Sequence, residues 1–379
     1  MIQRIPFFHH DLGRAELEQI AKVFEGPILT TGDQVRSFEE RFARLLGRKH
    51  ALGVTSCTGA LHLSLLALGI RPGDEVITTP MTFVATASAI VEAGAKPVFV
   101  DVESDTGNLD ADKVEAAITS RTKAIVPVHL YGLMCDMVKL RAIADRHGLR
   151  IIEDAAHCIE GERDGIRPGQ LSDVACFSFF ATKNLTCGEG GALVTDNSEL
   201  FEKLRLLRLH GITRTSIDRF RQGYEHWDMV TLGWKYNMDN IQAAMLLPQC
   251  DRIESNLTKR QELSDYYQRL LKTIPYLTVP ATRPQSRHAR HLFTVWVPKD
   301  HRDTLIGYLQ SRGVGLSVNY RAIHLLSYFS DLTGNRRGDF PSAEQIGDCT
   351  ISLPFYPQMP LDNAAKVADI ISGYFDELN

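Results

Sequence analysis

The residues with the clearest chemical potential lie in one stretch, residues 174–191. Residues 174–180 form an apolar run that predicts a buried strand, and Lys183 follows that run ahead of a glycine-rich turn at 188–191. Burial disfavours a charged ammonium group, and a neutral amine can attack a carbonyl carbon to form an imine. Because lysine is rarely buried, this stretch alone favours the alternative that the ammonium of Lys183 reaches water.

Two further groups follow predicted strands elsewhere in the chain. Residues 55–59 form a turn of small residues that includes Thr58 and Gly59, between a predicted strand at 50–54 and a predicted helix at 60–68. A turn at a helix N-terminus directs backbone N–H groups at an anion, and a phosphate would suit it. Thr58 also fits a simple helix N-cap, which is commoner. Asp154 follows a predicted strand at 151–153.

The elements that must position these groups alternate along the first half of the chain. Such alternation predicts a largely parallel sheet, whose ligands bind at the carboxyl ends of its strands. We therefore expect the 55–59 turn, Asp154 and Lys183 to meet at one sheet edge. The predicted strands are 50–54, 75–79, 97–102, 124–128, 151–153, 174–180 and 192–195, and the predicted helices between them are 60–68, 83–92, 109–118 and 137–147.

After Thr195 the pattern changes. Residues 211–234 are polar, rich in arginine and without a clear period, too long for an ordinary connection and therefore functional or partly disordered. The predicted helices are 198–210, 238–247, 253–273, 302–312 and 364–378, with a strand at 292–297 and an extended segment at 315–320. We divide the chain into a large domain, residues 1–247, and a smaller C-terminal domain, residues 248–379, and we expect the extreme N-terminus to pack on the smaller domain.

Composition narrows the class of protein. The 379 residues are 44% hydrophobic and 23% charged, typical of a soluble globular chain, and the net charge of -4 predicts neither nucleic-acid nor membrane binding. No apolar run is long enough to span a bilayer. The seven scattered cysteines favour a reducing, cytoplasmic setting over a disulfide framework. The histidines lack metal-ligand spacing, so we predict no metal site.

One cofactor would use a lysine, a carboxylate and a phosphate turn at the same sheet edge. Pyridoxal phosphate needs a lysine for its aldehyde, an acid beside its pyridine nitrogen and backbone donors for its phosphate. Lys183, Asp154 and the Thr58–Gly59 turn would supply these, and Phe83 offers an aromatic face. An unrelated nucleotide-binding α/β enzyme would also fit the pattern.

An ordered series of motifs resembles the DegT/StrS family of pyridoxal-phosphate sugar aminotransferases. The motifs are LTTG (29–32), GDEVI (73–77), PVFVD (97–101), PVHLYG (127–132), IEDAAH (152–157), SFFATKN (178–184), GEGG (188–191) and SLP (352–354). The resemblance implies the type I, aspartate aminotransferase-like fold, with a large α/β/α domain and a smaller C-terminal α+β domain. Within the family, KNLTC (183–187) and GWKYN (233–237) resemble the branch that aminates the C4 ketone of a UDP-linked arabinose for lipopolysaccharide.

The resemblance also implies individual roles in cofactor binding. Lys183 matches the lysine that bonds the cofactor and moves the proton, and Asp154 matches the partner of the pyridine nitrogen. The other matches contact the ring or the phosphate: Phe83, His157, Thr58, Gly59 and Ser178. The family's common Ser-Gly-Thr turn reads Ser56-Cys57-Thr58 here, which leaves the chemistry intact and the substrate open.

Three more matches concern the partner subunit and the substrate. Asn237 matches an asparagine that reaches the phosphate of the neighbouring subunit, which implies a homodimer with shared active sites. Tyr320 and His324 match a segment that lines the sugar site.

The expected activity is transfer of an amino group, from L-glutamate, to a keto sugar linked to a nucleotide. The mechanism would be ping-pong, C4 is the preferred ketone, and C3 is the nearest alternative. A non-catalytic protein of the same fold and an amino-acid lyase of the same cofactor class stay open.

Overall fold

The computed structural model describes residues 4–214 and 225–377. Residues 215–224, in the middle of the polar segment 211–234, lie outside the described residues. On either side of them the backbone of Thr213 bonds to Asp228 and that of Val230 bonds to Gly211, so the two described ends run antiparallel. Within the described residues, no helix combines the length and the apolar character that a membrane span requires.

A central sheet of seven described strands carries the site. In spatial order they are β1 (His50–Val54), β8 (Gly191–Thr195), β7 (Val174–Ser178), β5 (Arg150–Asp154), β4 (Thr122–Val126), β2 (Glu75–Thr78) and β3 (Lys96–Phe99). The pairs from β7 to β3 are parallel, whereas β8 is antiparallel to both of its neighbours. The predicted, largely parallel sheet is therefore confirmed, and β1, β5 and β7 end at the same edge.

Helices cover both faces of this sheet. They are α1 (Arg14–Phe24), α2 (Asp33–Leu46), α3 (Cys57–Ala67), α4 (Val84–Glu92), α5 (Ala111–Val114), α6 (Met137–His147) and α7 (Ser198–Arg208). On one face, Leu61 and Leu65 of α3 pack with Leu204 of α7. On the other face, Phe42 of α2 packs edge-on against Phe177 of β7, and Phe38 packs edge-on against Phe179 just past that strand. Apolar side chains on both faces explain the uninterrupted apolar runs of the strands.

The C-terminal half begins with one long helix, α8 (Asn240–Leu271), where the sequence predicted two helices at 238–247 and 253–273. Pro248 lies inside it and cannot donate a backbone hydrogen bond. The helix continues because residues on both sides of the proline are buried, including Leu246 and Ile253, and packing overrides a local break. The proposed boundary between residues 247 and 248 falls within this helix, and the two-domain division stays a proposal.

The remaining elements are β9 (Ser286–Arg287), which pairs with β6 (Glu162–Arg163), then β10 (Phe293–Trp296), α9 (Lys299–Ser311), α10 (Ser327–Thr333), α11 (Pro341–Cys349), β11 (Thr350–Leu353) and α12 (Leu361–Asp376). Four of them, β10, α9, β11 and α12, share a second hydrophobic cluster, whereas Phe329 of α10 and Ile346 of α11 pack in the same cluster as Phe99 of β3. β10 and β11 pair antiparallel, and Tyr267 of α8 packs in the second cluster. Ile5 joins it and pairs with Val314. Helices with a small antiparallel sheet match the expected α+β arrangement.

The close approach of β8 to the start of α3 gives a testable role to Gly191. A Cβ atom at this position would lie 2.5 Å from the backbone nitrogen of Cys57, too close for either backbone to tolerate without moving. We expect Gly191→Ala to lower the free energy of unfolding by about 1–3 kcal/mol, because overpacking displaces the turn. Gly307→Ala is the control, since this α9 position is open and alanine favours a helix. Chemical denaturation measures both, and equal stabilities would contradict the prediction.

Candidate active site

A cavity of about 590 Å³ opens at the sheet edge where β1, β5 and β7 end. Its size suits a small-molecule ligand. The first turn of α3, the start of α4 and residues 317–320 of the C-terminal half complete its walls. Seven of the residues singled out from the sequence line it: Thr58, Phe83, Asp154, His157, Ser178, Lys183 and Tyr320. The predicted meeting of the turn, the carboxylate and the lysine at one edge is therefore what the structure shows.

Lys183 is placed in this cavity by the loop that follows β7. Its backbone N–H donates to the carbonyl of Phe180 at 2.9 Å, which turns the chain sharply just past the strand. Burial lowers the pKa of its amine to about 8, although the negative charge of Asp154 acts in the opposite direction. Near neutral pH the amine is therefore neutral far more often than that of an exposed lysine, and the neutral form can act as a nucleophile or base.

This lowered pKa predicts the reactivity of the amine. Carbamylation by cyanate requires a neutral amine, so its rate at Lys183 should rise with pH and reach half its maximum near pH 8. Exposed Lys139 is the internal control, because its hydrogen bond to Asp112 raises its pKa above the usual value. Peptide mass spectrometry of the apoprotein after timed exposure reads both sites. Asp154→Asn removes a nearby negative charge and should move the Lys183 midpoint to lower pH, and an unchanged or higher midpoint would contradict the assignment.

Asp154 ends β5 with its carboxylate in the cavity wall. Its Oδ2 accepts a hydrogen bond from the Thr86 hydroxyl at 2.7 Å, and its Oδ1 accepts one from the Ala156 N–H at 3.1 Å. The Sγ atom of Cys57 lies 4.0 Å from Oδ1. Donors on both oxygens stabilise an ionised carboxylate in a buried place, as a partner for a protonated ring nitrogen requires.

His157 lies beside Asp154 with its ring held on both nitrogens. Nδ1 accepts from the Tyr131 N–H at 3.3 Å, and Nε2 lies 3.1 Å from the Tyr320 hydroxyl. An accepting Nδ1 places the proton of the neutral ring on Nε2, which then donates to Tyr320. Burial, aided by the positive charge of Lys183, lowers the pKa of His157 well below its usual value. The ring is therefore a neutral, flat surface that suits contact with an aromatic ligand.

The first turn of α3 differs from the sequence expectation. The helix begins at Cys57, earlier than the predicted residue 60, and its N-cap is Ser56, whose Oγ accepts from the Gly59 N–H at 3.0 Å. The N-cap alternative for Thr58 is thus wrong, and the Gly59 amide is used within the turn. Among the described residues, the amides of Cys57 and Thr58 have no protein acceptor. These amides, with Ser178 nearby in the cavity wall, fit a phosphate at the helix N-terminus.

Three predicted residues do not line this cavity: Gly59, whose amide is bonded within its own turn, His324 and Asn237. His324 is fully buried, 3.1 Å from the Glu344 carboxylate, and its ring packs edge-on against Phe340. The structure does not bring it to the cavity that it was expected to line, since Glu344 and Phe340 enclose it. Asn237 is also buried and donates to the Thr31 hydroxyl at 2.7 Å in its own chain.

The structure adds cavity residues that the sequence analysis did not single out. They include Thr82, Thr86, His291, Ser317 and Asn319. The ring of His291 lies 4.4 Å from that of His157, and its Nδ1 is 3.2 Å from Oδ1 of Asn184. Nothing in the local pattern marks His291, because it reaches the site only through the tertiary fold. In the sequence, the only indication that Thr82 and Thr86 line the cavity was their position on either side of Phe83.

These residues satisfy the needs of pyridoxal phosphate with groups that face one cavity. The site offers an amine with a lowered pKa and a hydrogen-bonded carboxylate. It also offers a flat neutral imidazole and two helix-terminal amides without a protein acceptor among the described residues. The fit rests on the hydrogen bonds and burial of this chain.

Comparison with known proteins gives the same assignment. Residues 10–372 match the DegT/DnrJ/EryC1/StrS aminotransferase family. The chain is 40% identical over 379 residues to the spore coat polysaccharide biosynthesis protein SpsC of Bacillus subtilis (strain 168), covering 97% of each chain.

Solved structures agree with this match. The crystal structure of S. venezuelae DesV in complex with a ketimine intermediate superposes with a TM-score of 0.91 at 37% identity, over 98% of each chain. The putative sugar aminotransferase Spr1654 from Streptococcus pneumoniae, in its PMP form, gives a TM-score of 0.93 at 29% identity, over 99% of this chain and 100% of the other. The protein has the type I fold of these enzymes, and it belongs to the DegT/DnrJ/EryC1/StrS family of pyridoxal-phosphate-dependent aminotransferases.

Proposed function

We propose that this protein transfers an amino group from L-glutamate to the keto carbon, C4 by preference, of a nucleotide-linked sugar by a ping-pong mechanism. The observation that carries the proposal is the placement of Lys183, with its lowered pKa, in the same cavity as the hydrogen-bonded carboxylate of Asp154. The family match supports amino transfer to a sugar as the general activity.

Each cavity residue has its own role in cofactor binding or proton transfer. When bound, pyridoxal phosphate supplies an aldehyde that captures amines and a ring that accepts electron density. Lys183 would hold the cofactor through its aldehyde and, as a free amine, would take up and return the substrate proton. Asp154 would keep the ring nitrogen protonated, and His157 would offer a flat surface to the ring. The Cys57 and Thr58 amides, with Ser178, would hold the phosphate.

The sugar substrate is supported by the relatives and by the cavity. SpsC is named for polysaccharide biosynthesis, and the motifs at 183–187 and 233–237 resemble a branch that aminates at C4. The cavity of about 590 Å³ gives room for the cofactor, and its lining includes the exposed side chains of Phe83 and Phe180. A nucleotide-linked sugar would enter from that side, close to Tyr320.

A cytoplasmic homodimer is part of the proposal. The cysteines of the chain, all within the described residues, form no disulfide, as expected in a reducing compartment. Phe83, Phe180, Met229, Val230 and Leu232 are large apolar side chains that stay exposed in the single chain, which is typical of an interface. Asn237 does not line its own cavity, and the proposal that it serves the site of the neighbouring subunit rests on its match to the family motif.

The visible spectrum of the purified holoprotein tests the donor and the acceptor in turn. Glutamate alone should remove the absorbance band of the lysine-bound cofactor and produce that of the pyridoxamine form. Keto-sugar nucleotides are then added one at a time, and the acceptor is the compound that restores the original band. Recovery with a 3-keto sugar and not a 4-keto sugar would overturn the C4 preference. An absorbance band that stays unchanged with every amino donor would refute amino transfer. Cleavage of the amino acid would identify a lyase.

Mixing two inactive variants tests the shared site. Lys183→Ala and Asn237→Ala are each expected to lose activity, but a mixed dimer would contain one site with both residues if Asn237 serves its partner. Co-refolding the two variants should then restore part of the activity. Restoration would not occur if Asn237 served its own site, and light scattering measures the dimer independently.

A further inference from the structure

Two threonines at the start of α4 are linked to Asp154 by hydrogen bonds, one directly and one through the other. The Thr82 and Thr86 hydroxyls lie 2.8 Å apart, and Oγ1 of Thr86 lies 2.7 Å from Oδ2 of Asp154. All three side chains are buried. Thr86 lies in the first turn of α4, whereas Thr82 precedes the helix, one residue before its N-cap Phe83, and the hydrogen bond between the two hydroxyls joins the two segments.

The direction of these hydrogen bonds follows from the chemistry of the groups. An ionised carboxylate has no proton to donate, so the single hydroxyl proton of Thr86 must point at Asp154. The Thr86 oxygen is then free only to accept, and the Thr82 hydroxyl must donate to it. Two hydroxyl dipoles in series therefore point at one carboxylate oxygen, an arrangement in which each hydrogen bond strengthens the next.

The two donors hold the carboxylate in one orientation. Oδ1 is held by the Ala156 N–H, from the loop after β5, and Oδ2 by Thr86, from a different element, α4. The Cys57 thiol cannot replace the Thr86 hydroxyl, because its Sγ lies 4.0 Å from Oδ1 of Asp154 and a thiol is a weak hydrogen-bond donor. Without Thr86, one oxygen of a buried carboxylate would lose its protein donor among the described residues, and the side chain would be free to rotate.

We propose that Thr86, itself oriented by Thr82, is the positioning residue that fixes the Asp154 carboxylate toward the cofactor. The inference goes beyond the proposed function, because it concerns how cofactor affinity is built and applies to any substrate. Thr86 acts through Asp154 and is not assigned a contact with the reacting atoms.

Cofactor affinity of the apoprotein is the direct readout. Thr86→Val keeps the shape of the side chain and removes the hydroxyl, and we expect it to raise the dissociation constant of pyridoxal phosphate by about tenfold, the usual effect of losing a hydrogen bond to a charged group. Thr86→Ser keeps the hydroxyl and should stay within about twofold of the parent. Thr82→Val should shift affinity in the same direction by less, because it acts one bond further away.

A double-mutant cycle separates positioning from general packing. If Thr86 acts through the carboxylate, Thr86→Val should cause no further loss of affinity in an Asp154→Ala background, because the group it orients is gone. An equal loss in both backgrounds would overturn the proposal, as would parent-like affinity of Thr86→Val. Denaturation of each apoprotein shows whether the variants fold, and Thr86→Ser keeps the proposal testable if the valine variant does not. None of these readouts depends on the substrate.

Discussion

Replacing Lys183 with alanine is expected to lower the rate of amino transfer by at least about 10³-fold, because one amine both bonds the cofactor and moves the proton. No other lysine lines the cavity within the described residues, so no second amine can take over. The measurements are single-turnover conversion of glutamate and the cofactor's absorbance spectrum. We expect the variant to bind pyridoxal phosphate without a covalent bond, and to release it on gel filtration.

A second substitution at Lys183 and added amines test the same role of the lysine amine. Lys183→Arg keeps the length and charge but stays protonated at any working pH, so it should be as inactive as the alanine variant. Small primary amines added to Lys183→Ala should restore part of the proton-transfer rate, because they can occupy the space left by the side chain. A variant that kept more than about a tenth of the parent rate would contradict the assigned role.

The second large effect is on stability, at a buried ion pair behind the site. Arg260 of α8 pairs with Oε1 of Glu160, and both side chains are almost fully buried. The other carboxylate oxygen accepts from Nδ2 of Asn184 at 2.8 Å, and that residue is adjacent to Lys183. The pair thus connects the long helix of the C-terminal half to the loop that carries Lys183.

Removing one partner should be costly. Glu160→Gln leaves the Arg260 guanidinium buried without a counter-charge, and we expect the free energy of unfolding to fall by about 3–5 kcal/mol. The double variant Glu160→Met with Arg260→Met should lose less than either single variant, since it buries no unpaired charge. Denaturant titration of the apoproteins measures all of these.

An exposed pair is the matched control. Arg14 and Glu18 form an ion pair on the surface of α1, and Glu18→Gln should leave stability unchanged within error. If Glu160→Gln also left the free energy of unfolding unchanged, the buried pair would not stabilise the loop. A weakened affinity for pyridoxal phosphate in Glu160→Gln, beyond any loss of folded protein, would show that the pair also positions Asn184.

The sequence by itself determined the sheet and the chemistry at its edge. Apolar runs, glycines and helix-period patterns are local properties, so they predicted β1 and α6 at their observed bounds and placed Asp154 and Lys183 just past strand ends. Parallel strands bring such ends together whatever the loops do, which explains why the lysine and the carboxylate were expected in one cavity.

Only the tertiary structure decided which side chains support them. The continuous α8 helix across Pro248, the enclosure of His324 by Glu344, and the approach of Thr86 and His291 to the site all depend on contacts between residues distant in sequence. Local propensity carries no information on such contacts, because they arise when whole elements pack. The sequence therefore determined which groups meet at the sheet edge, and packing determined how those groups are oriented and how far their charges are shielded from water.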